Sequence, residues 1–173
     1  MVKAIVVGSM LAMGAGSAFA QAPAKANPDQ TFVMEAAKGG MAEVELGKIA
    51  SEKGSSPEVK SFGQRMVDDH GRAGDELKTL AKNKGITLPA DIDAKDKALR
   101  DRLLKLSGDG FDRAYMAAML DDHRKDVSQF RIEARSGKDP DVKAWAAKTL
   151  PTLTEHLKLA QSTNKAVGTS GKR

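Results

Sequence analysis

Apolar and small residues recur along this chain at spacings of three and four, and the recurrence falls into four long runs. Val33, Ala36, Ala37, Gly40, Val44 and Gly47 mark the first run. Val59, Phe62, Met66, His70, Ala73, Leu77 and Leu80 mark the second. Tyr115, Met119, Leu120, His123, Val127, Phe130 and Ala134 mark the third, and Val142, Trp145, Ala146, Leu153, His156, Leu157 and Ala160 the fourth. Asn27-Pro28, Ser56-Pro57 and Asp139-Pro140 each set a capping side chain before a proline at the first helical position. Ser107 or Asp109 caps the third run, and Gly54, Gly85 and Gly137 are stop signals. These signals predict helices over 28–53, 57–84, 109–136 and 140–164. The connection from 85 to 108 is longer, and Lys97–Leu106 within it reads as a short helix with Leu99, Leu103 and Leu106 facing inward.

The turn Gly54-Ser55-Ser56-Pro57-Glu58-Val59-Lys60-Ser61-Phe62 recurs further along the chain as Gly137-Lys138-Asp139-Pro140-Asp141-Val142-Lys143-Ala144-Trp145. The offset in numbering is 83, from Gly54 to Gly137. The chain is therefore two helical hairpins joined by a long crossover. One hairpin cannot bury its apolar stripe, but two together can. The expected fold class is all-α, a ferritin-like four-helix bundle. Its domain spans 28–164, with a flexible lead-in at 21–27 and a flexible tail at 165–173.

The segment before the lead-in does not belong to that pattern. Lys3 precedes an apolar stretch from Ala4 to Ala15, and Ala18-Phe19-Ala20 fits a small-x-small cleavage rule. Residues 1–20 read as a secretory signal peptide, so the protein is expected to be exported. Periplasm is the first choice, ahead of outer-membrane association or the extracellular space. The apolar stretch is shorter than the roughly 20 residues a membrane span needs, and no second long apolar segment follows. The absence of cysteine removes disulfides and lipoprotein anchoring. The formal charge is +5, which falls to +4 without Lys3. This small excess is interleaved with acids, and one Trp and one Tyr offer little for base stacking. No nucleic-acid partner is expected, and an envelope-associated partner is the alternative kept open.

The chemistry rests on three histidines. His70, His123 and His156 sit on the apolar stripes of three different helices, each preceded by an acid: Asp69, Asp122 and Glu155. Adjacent helical residues point about 100° apart, so these acids are rim or supporting charges rather than co-ligands. The remaining long helix carries Glu43 on its small-residue face, and Asp126 lies one turn beyond His123. Depth along each helix can be counted from the turns. Glu43 stands 11 positions before Gly54 and His70 stands 14 after Ser56. His123 stands 14 positions before Gly137 and His156 stands 17 after Asp139. At 1.5 Å per residue the paired depths differ by only about 4.5 Å. Glu43, His70, His123 and His156 are therefore expected to converge, and Asp126 is a further candidate ligand. Three imidazoles and a carboxylate suit Zn, Cu, Ni or Fe better than Ca or Mg. A metal-free polar cluster that fixes helix register is the competing reading. Gly39-Gly40 inside the first helix reads as close helix packing, or alternatively as room for a ligand. Pro151 reads as a kink in the fourth helix. No phosphate loop, cysteine nucleophile or Gly-x-Ser-x-Gly elbow is present, so no catalytic residue is assigned.

Phe32-Val33, Ala36-Ala37, Gly40-Met41, Glu43-Val44-Glu45-Leu46-Gly47, Val59-Lys60-Ser61-Phe62 and Met66-Val67-Asp68-Asp69-His70 form a recognisable combination. Leu106-Ser107-Gly108, Phe111-Asp112-Arg113-Ala114-Tyr115, Asp122-His123 and Thr149-Leu150-Pro151 extend it. Over about residues 29–163 the chain resembles the exported bacterial proteins filed as domain of unknown function 4142, often labelled putative membrane or outer membrane proteins. The resemblance implies a ferritin-like fold and no established activity. Di-iron bundles use Glu-x-x-His on two helices. Here the residues three before the histidines are Val67, Leu120 and Leu153, so di-iron chemistry is not expected. Three classes remain: a non-enzymatic envelope protein with a binding or stress-related role, a transition-metal binder, and a metal-dependent enzyme.

Overall fold

Proline at the first turn sets where three of the four long helices begin. Its missing N–H is one the helix start leaves unpaired anyway. In each case the residue ahead of it caps the turn. Asn27 accepts from the N–H of Asp29 at 3.1 Å, Ser56 from Val59 at 3.2 Å, and Asp139 from Asp141 and Val142 at 3.0 and 3.2 Å. In a computed structural model describing residues 27–170, the elements are α1 (Pro28–Lys53), α2 (Pro57–Lys84), α3 (Ala94–Leu104), α4 (Gly108–Ser136) and α5 (Pro140–Ser170). The expected signal peptide, residues 21–26 of the lead-in and residues 171–173 lie outside the described residues. The described chain is all-helical, with five helices: four long ones and the short α3 in the connection. No helix among the described residues is long and apolar enough to cross a membrane.

Four boundaries differ from the sequence reading: α3 ends at Leu104 rather than Leu106, α4 begins at Gly108 rather than 109, and the start of α3 and the end of α5 shift further. The connecting helix α3 starts at Ala94 rather than Lys97, because Asp93 caps it by accepting from the N–H of Asp96 at 3.0 Å. The helix α5 continues past Lys165 to Ser170, where a flexible tail was expected; Val167 is buried in the core and holds this last stretch down. The expected side-chain cap of α4 is also absent: Ser107 stands at the cap position without a capping hydrogen bond.

The helices pair as α1 with α2 and α4 with α5, and the hairpins meet along α1–α4 and α2–α5. Within the first hairpin the backbones approach closely at Gly47 and Gly63. A Cβ on either would stand 2.7 Å from the other's carbonyl oxygen. Gly54 is likewise a matter of space rather than of left-handed backbone: its φ is −49°, and a Cβ would meet the Ala50 carbonyl at 2.7 Å.

Each hairpin's turn is held by a buried aspartate from the other hairpin. Asp29, at the start of α1, accepts from the N–H groups of Lys138 and Asp139 through Oδ2. Asp112, at the start of α4, accepts from Ser55 and Ser56, both at 2.8 Å. Asp29 and Asp112 are related by the same numbering offset as the two turns, so the repeat extends to the groups that grip them.

The core is layered. Leu46, Phe62, Met66, Phe111, Tyr115, Met116, Met119 and Ala160 belong to one apolar cluster. Val33, Leu77, Val127, Phe130, Trp145 and Leu153 belong to a second. Along α2, α4 and α5 the histidines fall between the two clusters, as does Glu43 along α1.

Charge-assisted hydrogen bonds contribute about 1.5–3 kcal/mol each. Replacing Asp112 with Ala removes two of them, so we expect a loss of about 2–4 kcal/mol in urea unfolding, with a smaller loss for Asp112→Asn. An Asp112→Ala protein as stable as the parent would show that the contact does not hold the turn.

Candidate metal centre

The four central residues come from four helices and meet in the interior. Glu43 (α1), His70 (α2), His123 (α4) and His156 (α5) are all buried. The three imidazole centroids stand 5.2–5.6 Å apart. One ligand atom from each of the three histidines can be chosen so that all lie within 4.8 Å of one another. Nitrogens around one ion at 2.0–2.1 Å stand about 3.5 Å apart. The rings would have to close by roughly an ångström, a shift that side-chain torsions supply.

The two nitrogens of each ring differ in environment. His123 Nδ1 faces the Met119 carbonyl at 2.8 Å. A carbonyl can only accept, so Nδ1 carries the hydrogen and a neutral ring has its lone pair on Nε2. His156 Nε2 donates to Asp69 Oδ2 at 2.8 Å, leaving the lone pair on Nδ1. His70 Nδ1 lies 2.8 Å from Glu43 Oε2. The remaining atoms, His70 Nε2, His123 Nε2 and His156 Nδ1, are buried without a hydrogen-bond partner. Each ring is thus pinned from outside and unsatisfied inside.

The carboxylates divide between the rings. Glu43 Oε2 orients His70, and its Oε1 stands 3.3 Å from His123 Nε2. Asp69 supports His156, across from its own helix, rather than the adjacent His70. That cross-helix partner, and the Met119 carbonyl, were not readable from spacing. The signal in sequence was only that an acid precedes each histidine. Asp122 lies 3.9 Å from Lys95, and Glu155 is exposed on Arg65. Asp126 is partly buried beside Glu43.

Burial dominates the electrostatics. It lowers His70 and His156 to about 4 and also lowers His123. Burial raises Glu43 to about 7, against the pull of His123, and raises Asp126, with the charge of Glu43 adding to it. Burial would raise Asp69 as well, but its hydrogen bond to His156, the charges of His156 and Arg72 and a hydrogen bond from Arg65 bring it below the usual carboxylate range. At neutral pH the three rings are therefore uncharged and ready to donate lone pairs. A protonated Glu43 can donate from Oε1 toward His123 Nε2, and an ionised one sets two electron-rich atoms against each other.

The site is flanked by two openings. A cavity of about 710 Å³ reaches Glu43, His70 and Asp126 between α1 and α2, and a small one of about 80 Å³ reaches His70 and His156 past Asp69 and Lys148. Gly39 and Gly40 line the larger one, and a Cβ on either would meet nothing within 4 Å. The close-packing reading of this glycine pair is therefore replaced: the missing side chains leave open space. The helix α5 continues through Pro151.

The family model described as a domain of unknown function (DUF4142) matches residues 14–163. No curated protein matches the sequence. Among solved structures, a DUF305 fragment from Deinococcus radiodurans is similar with a TM-score of 0.69 at 13% identity, covering 82% of this chain and 95% of that one. CopM in its Cu(I)-bound form is similar with a TM-score of 0.67 at 16% identity, covering 80% of this chain and 96% of that one. A conserved hypothetical protein, rv2844, from Mycobacterium tuberculosis gives 0.60 at 15% identity, covering 82% and 98%. At these identities the likeness is one of fold.

The raised Glu43 carries a sign that can be tested. Its folded value lies above the ordinary 4.5, at about 7, so the folded state holds a proton that the unfolded state has released. Stability from this group is complete below pH 4.5 and falls as pH rises through 7, by up to about 3 kcal/mol. Glu43→Gln keeps the shape and a donor without the charge. In metal-free protein we expect it to be the more stable form at pH 8, with the advantage gone at pH 4.5. Chemical unfolding at both pH values reads this, and equal stability at pH 8 would mean that Glu43 is solvated in its ionised form.

Proposed function

The chain belongs to the family of domain of unknown function DUF4142, and from that premise we propose that its core is a transition-metal site built by His70, His123 and His156. One observation carries the reading. Three buried ring nitrogens lack partners, and the opposite nitrogen of each ring is fixed by Glu43, the Met119 carbonyl or Asp69. Metal-ligating histidines are oriented in this way, with the outer partner fixing tautomer and ring angle. Leaving three such buried atoms unpaired is otherwise costly.

Neutral imidazoles favour the late first-row ions, and copper heads that order. The similar fold of CopM, described in Cu(I)- and Cu(II)-bound forms, supports copper as the first ion to try, ahead of Zn, Ni or Fe. In this reading Glu43 Oε1 is the fourth ligand, supported by its 3.3 Å distance from His123 Nε2, with Asp126 as a supporting charge. The protein binds the ion rather than using it for turnover in this reading, as an envelope protein that buffers or carries metal. We read residues 1–20 as its signal peptide, the periplasm as its location, and the four long helices as a ferritin-like bundle with α3 in the crossover.

Elemental analysis of protein purified without an affinity tag tests this. We expect near-stoichiometric transition metal, lost in His70→Ala. Asp69→Asn should retain the fold and bind copper about 10–100-fold more weakly, the usual cost of removing a partner behind a ligating histidine. A metal-free cluster predicts no bound ion in the parent and only a stability change in the variants.

A further inference from the structure

The larger cavity has a lining of its own. Its walls are Leu77, Phe130, Trp145 and Leu153, and its glycines 39, 40, 71 and 74 meet nothing where a Cβ would stand. Four glycines in helix interiors lower helix propensity without securing any close backbone contact. A volume of about 710 Å³ falls within the range of small-molecule sites, about 300–1,000 Å³.

Its inner polar side chains include two carboxyls, while the lysines in its lining, Lys48 and Lys78, stand at the rim. Glu43 and Asp126 both line it. Glu43 is 3% exposed with Oε1 unpartnered, and no lysine or arginine forms an ion pair with either carboxyl among the described residues. At the rim, Glu45 is paired with Arg100 and Asp75 with Lys78, so those charges are already answered. The two inner carboxyls have each other as near neighbours and no cation paired with them, which an ammonium attached to an apolar body would supply.

We propose that this cavity binds a small amphipathic amine, its apolar body against Trp145, Phe130, Leu77 and Leu153 and its ammonium group on Asp126 and Glu43. Hydrogen bonds from an ammonium to paired carboxyls are charge-assisted and strengthened by the low-polarity surroundings. The glycines give the body access, and the aromatic wall sets its preference for flat or aliphatic groups over polar ones. The site shares Glu43 with the three-histidine cluster and does not require a metal in it.

The only tryptophan in the chain lies in this wall, so its emission reports occupancy directly. The probe is octylamine, with octanol and octanoate as neutral and anionic controls, added to chelator-treated protein so that the result is independent of the metal site. We expect a saturable shift in Trp145 emission, with octylamine binding at least tenfold more tightly than octanol and octanoate weaker still. Asp126→Asn should bring octylamine to the affinity of octanol while octanol is unchanged. Gly40→Leu and Gly74→Leu, each checked for helicity by circular dichroism, should abolish the response by filling the space. No saturable response, equal affinity for all three head groups, or full binding in both leucine variants would overturn the proposal.

Discussion

The rest of the structure depends on the grip of two buried carboxylates on backbone N–H groups of the opposite hairpin. Asp29 holds the turn between α4 and α5, and Asp112 holds the turn between α1 and α2. Apolar stripes alone let one hairpin slide along the other, since leucine against leucine is tolerant of position. A carboxylate bonded to two adjacent N–H groups is not. A slide of one helical turn, about 5.4 Å, breaks all of these charge-assisted bonds and leaves two buried charges uncompensated. The four central side chains lie well inside the span between the gripping residues and the turns, so their common level follows from this lock.

That common level brings an internal conflict. Three imidazoles and two carboxyl groups occupy a layer between two apolar clusters, and burial drives both kinds of group toward their neutral forms. In part they satisfy one another: His70 pairs with Glu43, and His156 donates to Asp69, which stays ionised at the edge of the layer. The arrangement still leaves a nitrogen on every ring without a partner. A cluster serving register alone would gain by turning those atoms toward donors. Keeping them toward a shared centre makes sense when something arrives there to accept three lone pairs.

The sequence made the helices legible because their signals are local: a cap, a proline, a glycine and a period. It also made the convergence legible, because the repeated turn allows depth to be counted on both hairpins. What it hid was non-local. Asp29 and Asp112 read as ordinary first-turn acids, since nothing nearby says that their partners lie in the turn of the other hairpin. Glu43 reads as a candidate ligand because burial of a carboxylate demands a partner, and periodicity cannot say that its Oε2 lies on His70 Nδ1. The inner face of α1 was also misread in part: Leu46 and Ala50 are buried and Val44 is not fully so. Small residues carry little hydrophobic signal, so they fix the direction of a stripe poorly. For the same reason Gly39-Gly40 could be read as tight packing, when the distinguishing fact is the absence of anything nearby.

The repeat clarifies why open space and histidines lie side by side. Its offset of 83 pairs Glu43 with Asp126, two carboxyls at matching places on α1 and α4. The same offset pairs Gly40 with His123, Gly47 with Phe130, Gly71 with Thr154 and Gly74 with Leu157. One hairpin therefore carries glycine where the other carries bulk or an imidazole. At Gly47 the deficit is closed by the backbone of α2 moving in, with Gly63 facing it. At Gly40, Gly71 and Gly74 it is not closed, and the cavity results. A symmetric pair of hairpins would have filled both sides equally. The fold instead keeps its two-fold frame at the turns and carboxylates, where register is set. It departs from that symmetry in the middle, where His123 extends inward from α4 and the α1–α2 side stays open up to Glu43 and His70.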